Sequence, residues 1–145
     1  MRERYRYVEH TADVEFVAYG AGMDELFRNA LLAMFDTAAD IRKLAGQRRS
    51  PVKFSLKEDS NDTKDLLWLT LQDSLSKASA KGVFSYGVSG LSIKETKKGY
   101  VLDAVILGRK ETPEAAKLDV KGVSKYDLDI SKTGRRFEAS VVLDV

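Results

Sequence analysis

The order of apolar and polar positions predicts strands first, then a helix, a strand, a second long helix, and β structure to the end. Residues 5–8 read as extended, and residues 14–19 form a run of β-branched and aromatic side chains closed by Gly20 and Gly22. From Met23 to Ala38 the period changes. Leu26, Phe27, Ala30, Leu31, Met34, Phe35 and Ala38 recur at steps of three and four, which makes one broad apolar helical face. Asp24 and Glu25 fall in its first turn, where the helix dipole favours anions.

Residues 40–50 are polar and basic and read as a connection; residues 51–56 alternate Val52, Phe54 and Leu56 as a strand does. Ser60, Asn61 and Asp62 offer N-caps for a second helix over residues 63–80, carrying Leu66, Leu67, Leu69, Leu71, Leu75 and the only tryptophan, Trp68. Strands are then predicted over 83–88, 91–94 and 100–107, with a turn at Lys97-Lys98-Gly99. Beyond a loop around Pro113 come strands over 118–123, 126–130 and 137–145, with a turn at Thr133-Gly134. Helices and strands are segregated rather than alternating. The expected class is therefore α+β, with two main amphipathic helices packed on a largely antiparallel or mixed sheet in one domain over residues 1–145.

Composition narrows the chemistry. The chain has 145 residues, a size at which roughly two thirds of the unfolded surface is buried on folding, enough for a core without staples. It has no cysteine and one histidine, which excludes disulfides and thiolate sites and argues against zinc. With 24 basic and 22 acidic residues the net charge is +2, too balanced to mark a nucleic-acid footprint. No apolar run approaches the roughly 18 residues of a membrane span, and the N-terminus lacks the apolar stretch of a secretion signal, so a cytoplasmic protein is expected.

Two carboxylates stand where an apolar pattern breaks. Asp13 follows His10-Thr11-Ala12 ahead of the 14–19 strand, and Asp144 closes the last strand, whose pairing would hold it and the terminal carboxylate in place. If those strands are neighbours, the two aspartates and nearby main-chain carbonyls make an oxygen site for calcium, magnesium or manganese. The other reading is a turn-capping Asp13 and a solvated Asp144. His10 reads either as a base or ligand or as a hydrogen-bonded structural residue. Lys121, in a strand-like run, reads either as a contact to a phosphate or acidic partner or as an edge-guarding lysine. No glycine cluster has the spacing of a phosphate-binding loop, and the basic pairs Arg48-Arg49, Lys97-Lys98 and Arg135-Arg136 read as solvated turns.

Taken together, three ordered anchors resemble the archease family over the whole chain. They are Glu9-His10-Thr11-Ala12-Asp13 with Ala18-Tyr19-Gly20 and the helix that follows; Asp65-Leu66-Leu67-Trp68-Leu69 with Gly82-Val83-Phe84; and the segment from Asp119-Val120-Lys121-Gly122-Val123 to Val141-Val142-Leu143-Asp144-Val145. The resemblance implies a metal-binding, non-enzymatic cofactor that promotes guanylylation and multiple turnover of the tRNA-splicing RNA ligase. It implies Asp13, Asp144 and the Val145 main-chain oxygen as metal ligands, with calcium as the leading metal and magnesium or manganese as alternatives. Lys121 and His10 are implied as functional residues, with RNA contacted indirectly. An alternative within the family is a chaperone that modulates a tRNA cytosine methyltransferase and limits its aggregation. A metal-dependent hydrolase is a third reading, and it lacks a nucleophile or general base. The chain departs from the family in its third anchor. Where Lys-Ala-Val-Thr-Tyr-His is usual, it has Lys121-Gly122-Val123-Ser124-Lys125-Tyr126, with no imidazole at that place.

Overall fold

The computed structural model describes residues 3–8 and 13–145. Eleven elements follow along the chain: β1 (Tyr5–Val8), β2 (Val14–Gly20), α1 (Met23–Ala38), α2 (Ile41–Ala45), β3 (Val52–Ser60), α3 (Thr63–Lys81), β4 (Val83–Thr96), β5 (Gly99–Lys110), β6 (Gly122–Val123), β7 (Asp129–Thr133) and β8 (Arg136–Asp144). The class is α+β, with three helices and two antiparallel sheets. One sheet runs β1-β2-β8-β6, with β7 also paired to β8; the other runs β3-β5-β4.

Helix α1 occupies the span its periodicity predicts. Its start is tied down by Glu25 Oε1, which accepts from Ala21 N at 3.2 Å, and by Asp24 Oδ1, which accepts from Ile93 N of β4 at 3.2 Å. Buried Asn29 donates to the Tyr19 carbonyl at 2.7 Å, so the polar residue on the core face is satisfied. In α3, Asp62 caps the start by accepting from Lys64 N, and Gly82 ends the helix in the left-handed region (φ 66°), where a side chain would be strained. The inward face of α3 differs from its leucine pattern: Leu66, Leu67 and Leu71 are buried together with Thr70, Ser74 and Ala78, whereas Leu69 and Leu75 are half-buried. Small residues there let the helix lie close to its neighbours.

Both long helices touch both sheets, α1 against β2 and β4 and α3 against β3 and β6. The main apolar core results, in which Phe16, Val141 and Leu143 of one sheet meet Leu56, Leu102 and Ile106 of the other around Phe27, Leu31 and Leu71, and a smaller cluster of Ala39, Leu44 and Ala115 lies beside it. Burial of such side chains is worth about 1.5–3 kcal/mol each before entropy is counted.

Four expectations change. The β residues divide into two sheets instead of one. Residues 40–50 are not wholly a connection, since they contain α2: Asp40 accepts from Lys43 N, Leu44 is fully buried, and Arg109 of β5 donates to the Leu44 and Gln47 carbonyls at 3.0 Å. The predicted strands over 83–88 and 91–94 are one strand, β4, bent by register shifts at Ser85/Gly87 and Val88/Gly90. The expected strands over 118–123 and 126–130 shrink to Gly122–Val123 and shift to Asp129–Thr133. Ser124 Oγ donates to Asp127 Oδ2 at 2.7 Å in a turn that leaves Tyr126 99% exposed, so its apolar ring does not mark a strand.

Two outcomes are expected. At Gly20 a Cβ would lie 2.7 Å from Leu26 Cα and closer still to Leu26 N, both backbone atoms of α1. Gly20→Ala should destabilise the fold by about 1–3 kcal/mol in urea unfolding, the cost of overpacking. Glu58, on β3, has its carboxyl pushed up to about 8 from 4.5, first by burial and then by a hydrogen bond and repulsion from Asp73, with Lys77 opposing. The folded state thus holds a proton that the unfolded state releases, so this group's stabilisation declines as pH rises between about 4.5 and about 8. In thermal melts the Tm difference of Glu58→Gln over wild type should grow across that window; a difference independent of pH would contradict the assignment.

Candidate metal site

Strands β2 and β8 run antiparallel through seven rungs, from Gly20↔Phe137 to Val14↔Leu143. Asp13 immediately precedes Val14, and Asp144 immediately follows Leu143. The two aspartates therefore flank the last rung from opposite strands, where the next opposed pair in such a ladder has Cα atoms about 4.5–5.5 Å apart and side chains on the same face. Asp13 is half-buried and Asp144 exposed.

On the other side of β8 lies β6, with Gly122 opposite Asp144 and Val123 opposite Leu143. Lys121 N donates to the Asp144 carbonyl at 2.8 Å, and Ser124 N to the Val142 carbonyl at 3.0 Å, so the short strand is bracketed by main-chain bonds. The Lys121 side chain is exposed beside the aspartate it braces. Val145 is half-buried and packs against the core.

Helix α3 holds β6 from its outer side. Trp68 Nε1 donates to the Val123 carbonyl at 2.8 Å, and Gln72 Oε1 accepts from Val123 N at 3.0 Å. These residues are four apart on the helix and so lie on one face, where they satisfy both polar groups of an edge residue. Lys125 stacks 4.9 Å from the Trp68 ring centroid and pairs with Asp65 at 3.5 Å, fixing the chain as it leaves the strand.

Sequence reasoning missed Gln72. A Cβ placed on Gly122 would lie 3.6 Å from Gln72 Oε1 and 3.7 Å from Asp144 Oδ2. The Gln72 amide oxygen and an Asp144 carboxylate oxygen thus both border Gly122. No local signal marks Gln72, since a glutamine on a helix reads as solvated surface. Among the described residues no three carboxylate or imidazole side chains gather into a group able to hold a metal ion. The donors at this end of the sheet are instead two carboxylates, the Gln72 amide oxygen and main-chain carbonyls. An all-oxygen set of this kind fits a hard cation such as calcium or magnesium and does not fit zinc. His10, the remaining sequence candidate, lies outside the described residues.

Comparison with known proteins agrees over nearly the full length. Residues 5–145 match the model of the Archease protein family (MTH1598/TM1083). "Protein archease" of Methanosarcina mazei is 32% identical over 145 residues, covering 99% of this chain and 97% of that protein. The protein of the same description from Pyrococcus abyssi is 29% identical over 146 residues, covering 99% of each. Among solved structures, the solution structure of Methanobacterium thermoautotrophicum protein 1598 aligns with a TM-score of 0.79 at 25% identity, covering 98% of this chain and 99% of that one. The crystal structure of a Thermotoga maritima archease, described as a possible chaperone, shares the fold with a TM-score of 0.64 at 20% identity, covering 100% and 98%. On the match over nearly all of its length and on relatives above 30% identity, this chain belongs to the archease family.

Proposed function

We propose that this protein is a metal-binding, non-enzymatic activator of the tRNA-splicing RNA ligase, promoting guanylylation of the ligase and its repeated turnover. The observation that carries the reading is the register of β2 against β8, which brings Asp13 and Asp144 to one end of one sheet. In this reading the two carboxylates and the Val145 main-chain oxygen hold the cation, calcium first and magnesium or manganese as alternatives. Gln72 supports them from α3. A bound cation would supply a fixed positive charge at that end of the sheet. The chain's own residues do the rest: Asp144 is held by the Lys121 amide, and the Lys121 side chain is free to reach a ligase carboxylate or a nucleotide phosphate beside it. His10, in the same first motif as Asp13, is carried as a functional residue by the family resemblance.

A second reading draws on the Thermotoga maritima protein, described as a possible chaperone. On that reading the client is a tRNA cytosine methyltransferase, whose aggregation the protein limits. Pull-down from the source organism separates the two, by whether ligase or methyltransferase is recovered. The charge balance of +2 gives no basis for direct RNA binding in either case. Among the described residues no helix is long and apolar enough to cross a membrane.

Guanylylation of the cognate ligase, measured with and without this protein across calcium, magnesium and manganese, tests the first reading. Asp13→Ala and Asp144→Ala should each remove the stimulation while the circular dichroism spectrum stays native; full stimulation by both variants would remove the metal site from the mechanism. Gln72→Leu should weaken calcium binding by about 10–100-fold in calorimetry, the usual cost of losing a supporting group at a metal site. Wild-type affinity in that variant would limit Gln72 to holding β6.

A further inference from the structure

Tyr126 stands apart among the described apolar side chains. The other large ones at the surface, Tyr7, Val52 and Leu118, are 45%, 39% and 48% exposed, so each keeps half of its surface or more against the protein; Tyr126 is 99% exposed. Apolar residues exposed singly are ordinary, and on a loose loop this one would carry no meaning. The turn that presents it is not loose.

Both ends of that turn are fixed to the body of the molecule. On the entering side, Ser124 N donates to the Val142 carbonyl at 3.0 Å, and Val123 before it is held by Trp68 and Gln72. On the leaving side, Leu128 is buried in the core and Asp129 pairs with Lys64 of α3 at 3.4 Å. Across the turn, Ser124 Oγ donates to Asp127 Oδ2, and Lys125 lies over Trp68 with its ammonium 3.5 Å from Asp65. A phenol ring with two side-chain torsions is thus held out from a braced turn, and little further freedom is lost when a partner closes over it.

The charges around the ring are already matched within the chain. Lys125 answers Asp65, Lys64 answers Asp129, and Asp127 accepts from Ser124. A carboxylate- or phosphate-bearing surface would find the turn's one cation, Lys125, engaged. An aromatic ring among neutralised charges has the composition of an interface core, where tyrosine is among the residues that most often carry the binding energy. Its place in the chain says which partner. Tyr126 follows Lys121 by five residues, at most about 17 Å of extended chain, and β6 between them is paired with Asp144. A standard interface covers about 800 Å² on each partner, a patch wider than that separation. We propose that Tyr126 is the anchor by which this protein seats on the RNA ligase, its ring entering an apolar pocket of the ligase surface. The proposal rests on the ligase reading given above.

The test uses the full chain and the cognate ligase, with binding measured by calorimetry and stimulation by guanylylation. Tyr126→Ala should weaken binding about 30-fold and raise the concentration giving half-maximal stimulation by the same factor, with the maximum unchanged. Tyr126→Phe, which keeps the ring, should lose at most about 10-fold, the worth of one hydrogen bond. Neither variant should change the Tm or the calcium affinity of the protein alone, since the side chain is exposed over nearly its whole surface. Undiminished ligase affinity in Tyr126→Ala overturns this proposal and leaves the ligase reading standing; no binding by wild type overturns both. A Tyr126→Phe variant as weak as Tyr126→Ala would also overturn it, because the ring would then supply no affinity. So would a loss of affinity that comes with a lowered Tm or weakened calcium binding, which would make Tyr126 a structural residue.

Discussion

The pairing of β2 with β8 is the constraint on which the rest of the structure depends. It joins segments more than a hundred residues apart through seven rungs, and it buries Phe16 and Ala18 beside Val141 and Ala139 in the same core that receives α1. Because residues opposed in an antiparallel ladder share a face, one register brings the core side chains together and leaves Asp13 and Asp144 next to each other at the open end. A slip of one residue between the two strands would put Phe16 and Val141 on opposite faces of the sheet and separate the carboxylates. Core burial, worth several kcal/mol across these side chains, thereby holds the polar end in register.

The edge next to Asp144 is stabilised differently. Strand β6 is only two residues long, too short to be held by its ladder alone. Its Val123 is pinned on both polar groups by Trp68 and Gln72 of α3, and the Lys121 and Ser124 amides fasten it to β8. Helix α3 is therefore part of the candidate site as well as of the core. That coupling explains why a tryptophan only half-buried in the apolar cluster occupies the middle of the helix: its indole N–H is a strut for the edge strand.

The second sheet serves as scaffold, and its irregularities have local causes. Strand β4 bends twice where it follows β5, the bends falling at Ser85/Gly87 and Val88/Gly90. Arg109 of β5, buried and stacked 5.1 Å from the Tyr86 ring centroid, caps the carbonyls at the end of α2 and so closes the segment after α1 over the sheet. Cation and carbonyl dipoles meet there with little water to screen them, which makes the arginine effective without a carboxylate partner.

The local pattern of the chain was enough to determine α1 to the residue, the positions of α3 and most strands, the α+β class and, from the lack of cysteine, the exclusion of thiolate chemistry. Each of these follows from solvent contrast or residue type within a few turns of chain. The pattern breaks at Asp13 and Asp144 also nominated both carboxylates, and the resemblance carried by the three anchors named the family. Local reading misplaced the strand around Tyr126, because an apolar residue presented by a Ser124–Asp127 turn leaves the same mark as one in a ladder. It could not divide the sheet in two or find Gln72. Those facts depend on which distant segments lie side by side, and long-range register is set by the packing of the whole core, of which no short stretch of sequence carries a record.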